Sequence, residues 1–356
     1  MDADGRDPEA ISADRWMRAM RRGDFERAWE IGDEILERRA RSPTPCWDQP
    51  RHLQFVWNGT PLAGKRVLVR CYHGLGDTIQ FIRFASEVRR TAREVVVWAQ
   101  PELVGLIASV PGVDRVLPLH DGTPDVEYDV DIEVMELPHA LRTPLSTLQG
   151  HVPYLFPQAR AHGFNIEEEA RGEPGPKEEE EDEVRLRVGL VWRSGNWDVD
   201  RSVPVEALAA LHEIEDVQFV SLQRGDGQVD AARLGIADIG SDDIEETAAT
   251  IQSLDLVITV DTMMAHLAGA VGVPVWTLLK KECDWRWMEN RSDSPWYPSM
   301  RLFRQHRPGD WIAALADVRA ALKDLIDRSS ASAFAQTPRR QPSNGTNLSL
   351  WRSDWR

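Results

Sequence analysis

At 356 residues the chain is about twice the usual size of one domain, so two domains, each burying its own core, are expected. The formal charge of −16 is concentrated, because Glu167 to Glu183 alone holds ten acidic and two basic residues, half of the total. With no Lys/Arg tract spaced by aromatics, the folded parts lack the electrostatic footprint of a nucleic-acid binder.

Three cysteines, Cys46, Cys71 and Cys283, form no CxxC pair and leave an odd count, which argues against a disulfide framework and for a reducing cytoplasm. The opening MDADGRDPEA lacks the basic and apolar regions of a signal peptide, and the apolar stretch Leu267 to Leu279 is too short and too broken by Gly and Pro to span a bilayer. The expected location is cytoplasmic, with the inner face of a membrane open as a place of work.

In chain order, Asp14 to Ala40 carries apolar residues at Trp16, Met17, Met20, Phe25, Ala28, Trp29, Ile31 and Ile35, which predicts two helices turning near Gly23. The pair is like one tetratricopeptide unit. Such units stack in arrays to bury a core, and with no second copy this hairpin must pack on its neighbour, as any amphipathic helical pair would.

From about residue 50 to 165 the period changes. Short β-rich runs at Val67 to Cys71, Val95 to Ala99, Arg115 to Leu119 and Val130 to Val134 alternate with helix-like segments at Thr78 to Arg90 and Glu102 to Val110. That alternation predicts a parallel, doubly wound sheet. The acidic segment around 166–183 reads as a solvated linker. A second series follows over 184–328, with strands at Val188 to Trp192, Val217 to Leu222, Leu256 to Val260 and Val273 to Leu279, and helices near Val205 to Leu211 and Ile244 to Ser253. Beyond Arg328 the polar, Pro-punctuated tail is expected to be disordered.

Two strand-to-helix junctions stand out. In LDLVITVDTMMAHLA, Leu254 to Ala268, an apolar run ends in Asp261-Thr262 and turns at once into a helix. Unpaired N–H groups and the positive end of the helix dipole there favour phosphate, just outside the carboxyl end of a sheet. In KRVLVRCYHGLGDTIQF, Lys65 to Phe81, Gly74 and Gly76 let the backbone turn off the strand and Asp77 meets the start of the next helix. A carboxylate so placed can take a proton from a sugar hydroxyl, or simply cap the helix with Gln80 three residues on. GxGD is not the dinucleotide fingerprint GxGxxG.

Other candidates carry the same double reading. His266 lies one turn beyond Thr262 and is either a ligand or a satisfied core histidine. In the loop Arg193 to Arg201, which contains Gly195 and Asn196, Arg201 just before Pro204 either grips phosphate or faces solvent. Trp285, Trp287, Trp296 and Tyr297 either stack on a base or sugar or pack a long loop. The three DxD triplets are no more than composition gives by chance, and HExxH, the complete P-loop (GxxxxGK followed by Ser or Thr) and GxSxG are absent, so no metal or cofactor site is expected.

Taken together, GLGDTIQF at Gly74 to Phe81, GLVWRSGN at Gly189 to Asn196, FVSLQRG at Phe219 to Gly225, the long block Leu256 to Trp276, and DWRWM with SPWYPSMRLFRQ at Asp284 to Gln305 resemble the family 9 glycosyltransferases. This heptosyltransferase-like group includes a branch with tetratricopeptide units ahead of the transferase. The resemblance runs from about Leu53 to Leu325. It implies an α/β GT-B fold: two Rossmann-like domains facing across a cleft behind a short N-terminal helical hairpin, acceptor on the first, nucleotide-sugar on the second, no catalytic metal. It further implies Asp77 as general base, with Asp261, Thr262, Met263 and His266 at the donor's diphosphate and sugar, Arg201 on phosphate, and Gln223 near the nucleoside.

The chain departs from the family at Cys71-Tyr72-His73, where relatives often carry acidic or amide residues, and at Lys280-Lys281-Glu282. The first departure makes His73 a secondary acid-base candidate. The expected activity is metal-independent transfer of a sugar from a nucleotide-sugar to a glycan, lipid-linked saccharide or protein, with the hairpin available for a protein contact. A nucleotide-sugar epimerase of the same architecture and a non-catalytic binding module are the rivals.

Overall fold

The computed structural model describes residues 8–41, 56–158, 186–195, 198–211 and 213–336. The acidic segment 166–183 and Asn196 lie outside the described residues.

Two helices come first, α1 Pro8–Arg22 and α2 Phe25–Ala40. They turn at Gly23, whose φ of +75 suits a residue without Cβ, and Asp24 then caps α2 by accepting from the Arg27 N–H. The N-terminal domain follows with β1 Arg66–Arg70, α3 Leu75–Phe81, α4 Ala85–Arg89, β2 Glu94–Ala99, α5 Val104–Ala108, β3 Arg115–Pro118, β4 Val130–Glu133 and α6 Leu137–Ala140. Its four strands are parallel in the order β3-β2-β1-β4. Central strands such as Val67-Leu68-Val69 are fully buried, the reason they read as continuous apolar runs.

The C-terminal domain comprises β5 Leu186–Val191, β6 Val217–Ser221, α7 Asp230–Leu234, β7 Ala237–Asp238, α8 Ile244–Ile251, β8 Leu256–Val260, α9 Met263–Ala270, β9 Val275–Leu279, β10 Met300–Arg304 and α10 Trp311–Gln336. All six strands are parallel, in the order β10-β9-β8-β5-β6-β7. Two expectations need correcting. The edge strands β7 and β10 were not expected, since β7 is two exposed residues and β10 sits inside a Trp- and Arg-rich stretch without β alternation. Helix α10 also runs past Arg328 to Gln336, because SSASAFAQ contains no helix breaker even though it lacks a strong apolar stripe.

The two domains do not keep separate cores. One cluster of buried apolar side chains runs from Met20, Phe25 and Trp29 of the hairpin, through Val67, Val69 and Val97 of the first sheet, to Met264, Leu267, Trp287 and Trp296 of the second domain. Only the far face of each sheet has its own cluster, around Trp98 in the first domain and Trp192 and Leu315 in the second. The hairpin explains part of the fusion. On α2, the Trp29 indole donates to Thr143 O at 2.9 Å and Asp33 holds His139 and Arg142, while on α1 Trp16 meets Trp285 edge-on at 5.1 Å. It bridges both domains and packs on its neighbours.

Arg83 completes the seam. Its guanidinium is 2% exposed and lies 4.7 Å from the Tyr154 ring and 4.5 Å from the Tyr297 ring. It donates to the carbonyls of Gln80 at 2.8 Å and Trp296, and to the Tyr154 hydroxyl at 3.0 Å. A charge this deep needs such a full set of acceptors and ring faces.

Candidate active site

The carboxyl ends of β1 and β8 face each other, and the helices leaving them, α3 and α9, lie in contact. Gly76 makes that approach possible. A Cβ there would stand 3.0 Å from the His266 ring and 3.3 Å from the Met263 Cα. Neither Gly74 nor Gly76 has positive φ, so Gly76 serves close packing between the domains rather than the tight turn expected of it.

Between the junctions lies a cleft of about 750 Å³ whose walls include His73, Gly74, Gly76 and Asp77 from the first domain and Gly195, Arg201, Asp261, Thr262, Met263 and His266 from the second. A second pocket of about 400 Å³ adjoins it, sharing Leu75, Gly195, Thr262 and Met263 and reaching to Gln223 and Gly227. The sequence candidates, apart from Asn196 outside the described residues, therefore fall on one continuous hollow.

Asp77 does not cap α3 in the expected way. Gly74 is the N-cap, Asp77 is the third helical residue, and its Oδ2 reaches back to accept the Gly74 N–H at 2.9 Å. Its Oδ1 is ion-paired with the Nη2 of Arg286, across the cleft from the second domain. Gln80, expected to share in the cap, is buried and accepts from Arg286 Nε at 2.7 Å. Arg286 also donates to Asp284 at 2.9 Å and lies 4.8 Å from the Trp285 ring. Burial opposes its charge, yet Asp284 and Asp77 outweigh that and raise its pKa. In the sequence the one signal for Arg286 is its place between two tryptophans in DWRWM.

At the second junction Thr262 is the N-cap of α9, its Oγ1 accepting the Met264 N–H at 3.3 Å. Asp261 is 7% exposed, and burial next to Asp284 raises its pKa to about 6. Arg201 is turned inward: its Nη1 donates to the Asp261 carbonyl at 2.7 Å and its Nε is 3.7 Å from Asp198, which Lys280 also holds at 2.8 Å. Arg201 and Lys280 thereby tie the 193–202 loop to the strand ends.

His266 is buried, with Nδ1 and the Tyr297 hydroxyl 3.0 Å apart and its ring stacked 5.3 Å from Trp287. Burial lowers its pKa well below the ordinary value, so the imidazole is neutral. It is at once a satisfied core histidine and part of the cleft wall. The amide of Gln223 is taken up by the backbone of the same loop: Oε1 accepts from the Trp192 and Arg193 N–H groups at 3.1 and 2.9 Å, and Nε2 donates to Arg193 and Arg224 carbonyls. Trp287, Trp296 and Tyr297 are wholly buried and Trp285 nearly so, which makes this stretch core packing. Among the described residues no group of three or more His, Cys, Asp and Glu side chains could hold a metal ion, and no helix is long and apolar enough to cross a membrane.

Two parallel, Rossmann-like domains whose strand ends meet at a single cleft define a glycosyltransferase fold of the GT-B type. One solved structure agrees on the fold. Glycosyltransferase family 9 from Veillonella parvula DSM 2008 has a solved structure that matches at a TM-score of 0.54 and 12% identity, over 75% of this chain and 99% of that one. The Escherichia coli heptosyltransferase WaaC bound to ADP-2-deoxy-2-fluoro heptose matches at 0.46 and 14%, over 74% and 99%. The family model for glycosyltransferase family 9 (heptosyltransferase) matches residues 238–308, from β7 through the second junction to the loop after β10. Protein FlbA of Caulobacter vibrioides is 29% identical over 306 residues, covering 76% of this chain and 48% of FlbA, so the chain spans about half the length of this curated relative.

Proposed function

We propose that the chain transfers a sugar from a nucleotide-sugar donor to a hydroxyl of a saccharide, lipid-linked or protein acceptor, without a catalytic metal. The observation that carries this reading is that Asp77 and the Asp261-Thr262 turn, far apart in sequence, line one cleft. The pocket beside Gln223 and Gly227 is the place for the nucleoside, and its rim at Gly195, Thr262 and Met263 leads to the reaction centre. The diphosphate would lie at the N-terminus of α9, where the remaining unpaired N–H groups, the helix dipole, Arg201 and Lys280 offset the charge that grows on the leaving group.

Asp77 faces this point from the first domain. As general base it would accept the acceptor's proton while the hydroxyl attacks the sugar, a contribution usually worth about 10²- to 10⁴-fold. Its bond from Gly74 and its pair with Arg286 hold the carboxylate in place. Thermal-shift measurements with a panel of nucleoside diphosphates and nucleotide-sugars test the donor half, because a selective ligand raises the melting temperature by mass action. Asp77→Asn tests the acceptor half: donor binding stays near normal and transfer is abolished. Substantial turnover by that variant rejects Asp77 as base, and no response to any nucleotide rejects the transferase reading.

A further inference from the structure

The parallel register of β1 and β4 sets Arg70 opposite Glu133 at the carboxyl edge of the first sheet, and His73 lies just beyond, on the cleft wall. The loop is anchored, since Gln100 Nε2 donates to the His73 carbonyl at 2.8 Å and Gln100 Oε1 accepts from Thr78 at 3.0 Å. The His73 Nε2 is 2.5 Å from Glu133 Oε1, and both side chains are largely shielded, 26% and 13% exposed. A carboxylate that holds one imidazole nitrogen leaves the other, Nδ1, as the nitrogen that can receive a proton.

Two more facts shape the choice of proton carrier. Asp77 has both oxygens engaged, and a proton resting there would cost its pair with a buried guanidinium. A proton arriving on His73 would instead create a charge beside Glu133. Asp77 from α3 and Arg286 from the second domain also act on His73, with opposite signs, and the Tyr72 ring lies 5.4 Å away. Burial lowers the His73 pKa but the pairing with Glu133 prevails, and the net direction is upward. Glu136, on the same turn as Glu133, is pushed up to about 8 by burial and by the charge of Glu133.

Resting on the transferase reading above, we propose that His73, oriented by Glu133, is a second acid-base residue of the site and carries away the proton given up by the acceptor hydroxyl. In the balanced step, the bond from the acceptor oxygen to the sugar's anomeric carbon forms as the bond from that carbon to the phosphate oxygen breaks. The phosphate oxygen keeps the electron pair and leaves with the nucleoside diphosphate. The proton, first accepted at Asp77, ends on His73 Nδ1, which returns it to solvent through the open cleft.

The test measures nucleoside diphosphate release from UDP-glucose, ADP-glucose and GDP-mannose with water as acceptor, from about pH 5 to about 9, after each donor has been ranked by thermal shift. Because His73 must be neutral to receive the proton, the wild-type rate falls on the acid side with a midpoint above 6.5. His73→Gln removes that limb and lowers the rate by about 10²-fold. Glu133→Gln keeps the limb but moves it to lower pH. His73→Asn repeats the first result from a different side-chain length, and the nucleotide-induced melting shift is unchanged in all three. If nucleotides bind and Asp77→Asn is inactive, yet His73→Gln keeps the same limb or a rate within about twofold of wild type, the pair is only a clasp between strand ends and the proposal fails. If no nucleotide is bound or turned over, the transferase reading falls first and takes this one with it.

Discussion

The two strand-to-helix junctions look alike in sequence, each an apolar run ending in a polar turn with an aspartate, and the structure uses them in opposite ways. The second closes on itself: Thr262 caps its own helix, Asp261 is buried, and Arg201 holds the Asp261 carbonyl. The first reaches outward. Gly74 offers no capping side chain, and the Asp77 carboxylate is fixed from the other domain by Arg286. A self-capped turn can present a constant surface to a ligand, whereas a turn completed from across the cleft depends on how the domains sit together.

Removing the outside partner gives the largest effect. Arg286→Leu leaves Asp77 and Asp284 without their shared cation and Gln80 without its donor, so nucleotide-sugar turnover should fall by at least about 10²-fold. Stability should drop by roughly 2 to 4 kcal/mol, less than for a fully buried pair because both carboxylates are partly solvated. Chemical denaturation together with turnover checks both numbers. An unchanged rate would mean that the first junction is as self-sufficient as the second.

Next comes the contact between the junctions. Gly76→Val puts side-chain atoms where even a Cβ already stands 3.3 Å from the Met263 backbone, and backbone cannot swing aside as a flexible side chain can. Overpacking of this kind costs about 1 to 3 kcal/mol. Gly74→Ala is the control, since its φ of −66 suits alanine and a Cβ there would meet no backbone, its closest contact being the Asp77 carboxylate at 3.1 Å. Equal losses from the two substitutions would contradict the role given to Gly76.

This contrast also marks how far the sequence could be read. The strands were legible because parallel, doubly covered strands are unbroken apolar runs, and β8 was placed residue for residue at Leu256–Val260. Asp77, Arg201, Asp261 and His266 stood out because they lie in the loops and helix starts that follow such strands, and they line one cleft. Their partners were not legible. The Arg286 to Asp77 pair spans 209 positions and the Arg83 to Trp296 bond 213, and no local period records a contact made by docking two domains. The same holds for the hairpin, whose apolar stripes were visible but not the Trp16 to Trp285 contact that sets it beside the cleft.

The junctions should also differ in their response to pH. Asp261 keeps its proton in the folded chain up to about 6, above the ordinary carboxylate value of 3.8. Between those values the folded state binds more protons than the unfolded one, so this group's stabilising contribution is present in full at low pH and is lost as pH rises through about 6. Asp261→Asn removes that loss. The variant should be more stable than wild type above pH 6 by at most about 3 kcal/mol, with the gap closing toward pH 4. Melting curves across this range decide it, and a gap that widened on acidification would show that Arg201 rather than burial governs Asp261.

The smallest effect concerns the cap itself. Thr262→Ala deletes the oxygen that receives the Met264 N–H, a loss of about 0.5 to 1 kcal/mol, at the low end for an N-cap because the bond is long at 3.3 Å. Thr262→Ser restores the oxygen and should restore most of the stability. The freed N–H belongs to the helix N-terminus beside which the donor's diphosphate is proposed to lie, so the alanine variant exchanges a side-chain partner for a phosphate oxygen. Its melting temperature should therefore recover toward wild type as nucleoside diphosphate is added, and calorimetry should show binding no weaker than wild type. If the alanine variant instead bound nucleotide much more weakly while Thr262→Ser did not, the hydroxyl itself would be a ligand, and the second junction would be as incomplete without its partner as the first.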